Sequence, residues 1–279
     1  MPTRVRRHIV IPVLSNAVSQ LARIRVTIGY AAALSGTAAL LVLLGPQTQD
    51  RIIRAASTNL DNLRHGRLET LLGSAFVADA GPIYLWLPGL FCLLALAELL
   101  WRSGRLAMVF VTGHVGATLL VAAGLAAAVR FGWLPWSVGS ARDVGMSYGA
   151  AAVLGALTAA IPACWRPAWI GWWISVALGT AMVCVEFTDI GHVTALLLGM
   201  LLGVRFGGPV RWTPVRTLLL AVSGVFGFVV LAHTALSIPV CAGLGLVGAV
   251  AADRAVRYRL VRRAAAARGA VAAEPVRVG

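Results

Sequence analysis

The sequence contains no lysine: all 24 basic residues are arginine, against 10 acidic ones. Charged residues make up only 12% of the 279, about half the share found in soluble globular proteins. So little charge cannot coat a soluble domain. With 59% hydrophobic residues and a mean hydropathy of +0.85, the class that remains is an all-α, multi-span membrane protein. Cysteine is also scarce. Cys92, Cys164, Cys184 and Cys241 lie in or at the ends of apolar segments without a C-x-x-C pairing, so they read as small apolar residues. No P-loop, dinucleotide fingerprint or metal-ligand spacing occurs, so neither a cofactor nor a metal is expected. The first long apolar run is not a short segment closed by a small-residue cleavage site, and reads as a retained span. The net charge of +14 does not indicate nucleic acid, because the arginines gather in the tails and short loops. There they act as topology determinants and, in the tail, as contacts for anionic lipids.

A span needs about 20 apolar residues, or fewer in a crowded bundle. The runs that qualify are 26–45, 82–101, 105–129, 144–164, 168–186, 190–206, 216–233 and 236–252. The last two form one stretch too long for a single span, with a turn expected around His233-Thr234-Ala235-Leu236-Ser237-Ile238-Pro239. Arg23, Arg25, Arg102, Arg105, Arg166, Arg205, Arg211 and Arg216 fall on one side if eight spans alternate, which puts both termini in the cytoplasm under the positive-inside rule. The expected division is a basic N-terminal segment (1–25), a six-span core (26–206), a C-terminal helical hairpin (207–252) and an Arg-rich cytoplasmic tail (253–279). Two connections on the opposite, outer side are long. Residues 46–81 mix charge with leucine, as a surface-lying amphipathic segment does. Residues 130–143 carry Trp133-Leu134-Pro135-Trp136, suited to the interface.

Polar residues inside spans mark function by default. Ser147 stands at the start of the fourth span within Gly145-Met146-Ser147-Tyr148-Gly149. His192 stands at the start of the sixth, followed by Ala195, Gly199 and Gly203. Both spans run inward from the outer face, so a nucleophile and a general base enter the bilayer at similar depth. The small residues after His192 share its helical face and invite close packing, as do Gly145 and Gly149 around the serine. Each part also has a plain structural reading: a serine bonded to its own helix, a histidine bonded to backbone, and a packing stripe. Asp189, at i−3 from His192, either orients the imidazole or pairs with an arginine such as Arg142. His114, in the middle of the third span, is a rival base. Glu98 and Glu186, near span ends, read as ion-paired or solvated, and His233 has no evident role.

Taken together, these positions resemble the rhomboid intramembrane proteases. That family pairs a G-x-S-G serine at the outer start of the fourth core span with a histidine at the outer start of the sixth, ahead of a G-x-x-x-G stripe. The long first outer connection matches the family's first loop. Glu98, followed by Arg102-Ser103-Gly104-Arg105, looks like the family's glutamate near the inner end of span two. The resemblance covers about residues 26–206 and is nearest to rhomboid-like proteins of actinobacteria. It implies an intramembrane serine protease at the plasma membrane, cleaving transmembrane substrates with a Ser147–His192 dyad and no cofactor.

Three departures are visible. Tyr148 stands where the motif has glycine. The family's His-x-x-x-Asn pair in span two, which binds the oxyanion, falls near Pro82 and Trp86, leaving Tyr84, Tyr148 or backbone N–H groups as substitutes. Asp189 adds a carboxylate to what is ordinarily a dyad. The alternative function is therefore a catalytically inactive rhomboid-like protein that binds or stabilises other membrane proteins. A third class, a small transporter, would need His114, Ser147 and His192 to line one pathway.

Overall fold

Lipid offers no hydrogen bonds, so an apolar run that enters it must satisfy its own backbone, and the helix is the way a single segment can. The computed structural model describes residues 21–78, 83–184, 186–206 and 210–272. Among the described residues the elements are α1 (Arg25–Leu44), α2 (Pro46–Ala56), α3 (Leu60–Arg64), α4 (Thr70–Gly73), α5 (Ile83–Arg130), α6 (Ser147–Ala156), α7 (Arg166–Cys184), α8 (Phe187–Gly203), α9 (Pro214–Leu231) and α10 (Ser237–Ala272), with no strand. Six of these are long and apolar enough to cross a membrane. One of the six, α5, is two spans in sequence, because Arg102 breaks it with φ 67° and ψ 162°. With the shorter α6 and its 3-10 extension to Ala159, eight apolar rods result, the number read from the sequence.

Glu98 fastens the first two spans. It is 2% exposed and accepts from Val26 N–H (3.0 Å), Thr27 N–H (2.8 Å), Thr27 Oγ1 (2.7 Å) and Ser103 Oγ (2.6 Å). The first two donors belong to the opening turn of α1, where backbone N–H groups lack helical partners and a negative charge is favoured. The expectation of an ion-paired or solvated glutamate is corrected here. Three of the four donors come from α1, 71 or 72 residues away, so no local pattern announced them.

The serine helix α6 is the axis of the bundle. Every residue from Tyr148 to Ala156 is buried, and the rod Ser147–Ala159 reaches only about 20 Å at 1.5 Å per residue. Its first turn therefore starts inside the protein. The segment 46–78 lies across α1 and is stitched to the approach to α6. Thr58 N–H donates to the Asp143 carbonyl (2.9 Å), Asp143 N–H to Ser57 Oγ (2.8 Å), and Gly145 N–H to the Ser74 carbonyl (2.9 Å). Trp133 and Trp136 are exposed, the latter under the Arg64 guanidinium at 5.5 Å, as an interfacial loop requires.

The C-terminal hairpin closes the remaining flank. The turn between α9 and α10 is held by a reciprocal cap. Ser237 Oγ receives Thr234 N–H (3.0 Å), and Thr234 Oγ1 receives Ser237 N–H (3.0 Å). Helix α10 runs along α7, where glycines allow near contact: a Cβ at Gly171 would overlap the Gly248 carbonyl. Helix α9 lies between the first arm of α5 and α7. A Cβ at Gly89 would meet the Phe226 ring at 2.7 Å, and one at Gly227 would meet Leu154 at 2.5 Å and Trp173 at 3.3 Å. The arginine tail is not a separate segment at its start. Helix α10 continues past Asp253, with an Asp253–Arg257 ion pair of 2.7 Å on its solvent side.

Candidate functional site

Small residues decide how α6 and α8 meet. A Cβ on Gly199 would overlap the Ala152 carbonyl, and one on Gly203 would lie 2.7 Å from the Ala156 carbonyl oxygen. Ala195 is fully buried in the same stripe. Two backbones thus run in contact, and the residues at the start of each helix are brought to one end of the seam. Gly149 serves a different neighbour, since a Cβ there would meet the Phe110 ring at 2.5 Å. Gly145 is not a packing residue: nothing lies within 4 Å of its Cβ position. Its requirement is conformational, with φ +121°, as the chain bends into α6.

At the end of that seam the neighbour of His192 is Tyr148. The two rings meet edge to face with centroids 5.3 Å apart. A Cβ on Gly191 would strike the same phenol ring. Glycine at 191 is what lets this tyrosine lie down between the helices. His192 is 8% exposed, and neither ring nitrogen has a hydrogen-bond partner. There is accordingly no hydrogen bond between Ser147 and His192. Ser147 itself opens α6 and is half-buried.

Asp189 lies in the first turn of α8, so it does share the histidine's helix. Its carboxylate is 1% exposed and neither oxygen has a hydrogen-bond partner. Oδ1 lies 3.9 Å from His192 Nδ1 and 3.8 Å from His233 Nδ1. The alternative pairing of Asp189 with Arg142 is replaced by an Arg142–Asp50 ion pair. His233, read from sequence as a turn residue without a role, comes to Asp189 because the α9–α10 turn folds over the start of α8. No spacing in the sequence signals that.

His114 does not reach Ser147. It is 3% exposed, and its Nε2 lies 3.0 Å from Ser74 Oγ, which also accepts from Thr58 Oγ1 at 3.0 Å. Its ring is 6.3 Å from that of Tyr148. Ser74 was not singled out in the sequence, because it belongs to a mixed-charge segment whose inward-facing positions, among them Ser57, Thr58, Thr70 and Ser74, follow no single helical period. Tyr84 is also absent from the cluster. It is 71% exposed and lines a cavity with Ser35, Ala38 and Val42 of α1. Of the span-two positions, Pro82 lies outside the described residues. Beside the serine, burial pushes the Asp143 carboxyl up to about 6, partly offset by the Tyr148 hydroxyl that faces it. That hydroxyl closes no hydrogen bond of normal geometry.

The arrangement offers a half-buried hydroxyl, a histidine covered by an aromatic ring and an unpartnered carboxylate, all at one end of a helix seam. The family model described as rhomboid-like protein matches residues 22–204. No curated protein and no solved structure matches the chain.

Proposed function

The chain belongs to the rhomboid-like family, and from that membership we propose that it is a non-proteolytic member, one that holds transmembrane segments of partner proteins without cutting them. The contact of Tyr148 with His192 carries this reading. A serine hydroxyl is a weak nucleophile until a base takes its proton, and here the base is covered by a phenol ring while its nitrogens bond to nothing. The position that the motif gives to glycine holds the residue that does the covering.

A second observation supports it. Ser147, Ala151 and Leu154 are spaced four and three apart and share one face of α6. Helix α9 packs on that face at Leu154, two turns along from Ser147, while also touching Gly89 through Phe226 and Trp173 through Gly227. A substrate helix approaching Ser147 from that flank would have to displace a span of this same chain. The flank between α1 and the start of α5, with Ser35, Ala38, Val42 and Tyr84 around a cavity of about 520 Å³, suits a partner helix, since small residues allow close approach. Under the positive-inside rule the Ser147 end faces outward at the plasma membrane, with both termini and the basic end of α10, beside anionic lipid, in the cytoplasm.

The protease reading keeps one observation in its favour, the Asp189–His192 approach: at 3.9 Å it is no hydrogen bond, but it puts a carboxylate on the side of the imidazole from which a triad carboxylate acts. A fluorophosphonate probe separates the two. The proposal expects no labelling of folded wild type. Labelling that disappears in Ser147→Ala would establish the protease.

A further inference from the structure

We propose that the ends of α7, α8 and α9 form a binding site for one divalent transition-metal ion, zinc above all, with Cys184, Asp189 and His233 as protein ligands. One ligand atom from each residue lies within 4.8 Å of the other two. Cys184 is the last residue of α7, Asp189 sits in the first turn of α8, and His233 follows α9. The three donors come from three spans and converge at one point.

The second observation is the state of Asp189. A carboxylate 1% exposed with no hydrogen bond to either oxygen is among the costliest groups a protein can bury. Two imidazoles approach its Oδ1, at 3.8 and 3.9 Å. Those separations are too long for hydrogen bonds. They are close to the spacing of donors around a tetrahedral ion, about 3.3–3.8 Å for bonds of 2.0–2.3 Å, so closure needs shifts of a few tenths of an ångström to about one. A cation there would neutralise the carboxylate and replace the missing partners.

The donor set selects the ion. Thiolate with imidazole and carboxylate suits zinc, and cobalt as its spectroscopic stand-in, and argues against calcium or magnesium. His192 Nδ1, 3.9 Å from the same carboxylate oxygen and outside the three-donor group, would hold a metal-bound water at the fourth position. His233 Nδ1 lies 3.2 Å from the Leu231 carbonyl oxygen, and Cys184 Sγ lies 3.8 Å from Thr234 Oγ1. The first is a hydrogen bond that binding through Nδ1 would break. The ion would clip the α9–α10 turn to the start of α8. Cys184, read from sequence as a small apolar residue, becomes a ligand. None of this depends on whether Ser147 is active.

The test uses the full-length protein in detergent, stripped with a chelator and then offered zinc or cobalt. The expected result is one zinc per chain by elemental analysis, and with cobalt a tetrahedral visible spectrum carrying a thiolate charge-transfer band. Cys184→Ser should remove that band, and Asp189→Asn and His233→Gln should each weaken zinc binding about 100-fold or more. His192→Gln should weaken it about 10-fold, the lower end for a residue outside the main ligand set. Because variants can misfold, a wild-type measurement stands beside them: zinc should slow maleimide modification of Cys184 and leave the exposed Cys164 unchanged. No retained zinc, a cobalt spectrum unaffected by Cys184→Ser, or equal maleimide rates with and without zinc would each overturn the site.

Discussion

Two buried carboxylates sit at different places in this protein and are treated in opposite ways. Glu98 is 2% exposed and receives four hydrogen bonds. Asp189 is 1% exposed and receives none. Burial is the same, so burial alone does not distinguish a structural charge from a functional one. Glu98 is a finished joint, locking the start of α1 to the break at Arg102. Asp189 is an unfinished one, with two histidines near it at distances that leave room for something between them. An unsatisfied buried charge costs several kcal/mol, a penalty that a completing partner would remove.

The comparison predicts opposite signs for matched changes. Glu98→Gln should lower stability by about 3 kcal/mol or more, because an amide cannot accept four donors arranged for a carboxylate. In chelated protein Asp189→Asn should leave stability unchanged or raise it, by removing a charge that nothing satisfies. Unfolding in a denaturing detergent titration measures both, and equal losses would erase the distinction. Next in size, Thr27→Val and Ser103→Ala should each cost about 1.5–3 kcal/mol, the range for a hydrogen bond to a charged group, and together they should approach Glu98→Gln. Tyr148→Phe should change stability by less than about 1 kcal/mol, because the hydroxyl it removes faces Asp143 without closing a hydrogen bond of normal geometry. A large loss there would mean that the ring is held by its hydroxyl and not by packing against Gly191 and His192.

A further effect, confined to a narrow window, concerns pH. Asp143 titrates near 6 in the folded protein, against about 4 in an unfolded chain. The folded state therefore holds a proton that the unfolded state has released. Stability should fall as pH rises from about 4 to about 6 and level off above that. Asp143→Asn should flatten this part of the profile and be the more stable protein above pH 6. Melting temperatures across that window decide it, and a wild-type profile that rises over the same range would refute the assignment.

Much of the architecture was legible because it follows from quantities carried by single residues or short runs. Span length and the glycine stripe of α8 needed no knowledge of partners. The stripe was readable since Gly199 and Gly203 act by lacking a side chain, whatever faces them. Gly145 was misread for the complementary reason: its value lies in a backbone angle, which composition does not separate from packing. The site was less legible. Tyr148 could be seen as a departure from the motif, but not that its ring would settle on His192. Ser74 with His114, and Cys184 with His233, meet only after the 46–78 segment and the C-terminal hairpin have folded onto the core. Contacts across such separations leave no trace in local spacing.

The central claim is that this member of the family binds transmembrane segments and leaves them intact. The most direct measurement reconstitutes wild type and Ser147→Ala in liposomes with a panel of single-span proteins and follows both cleavage and co-purification. The account predicts intact partners, retained equally by the two proteins. A fragment that appears with wild type and is absent with Ser147→Ala would contradict it.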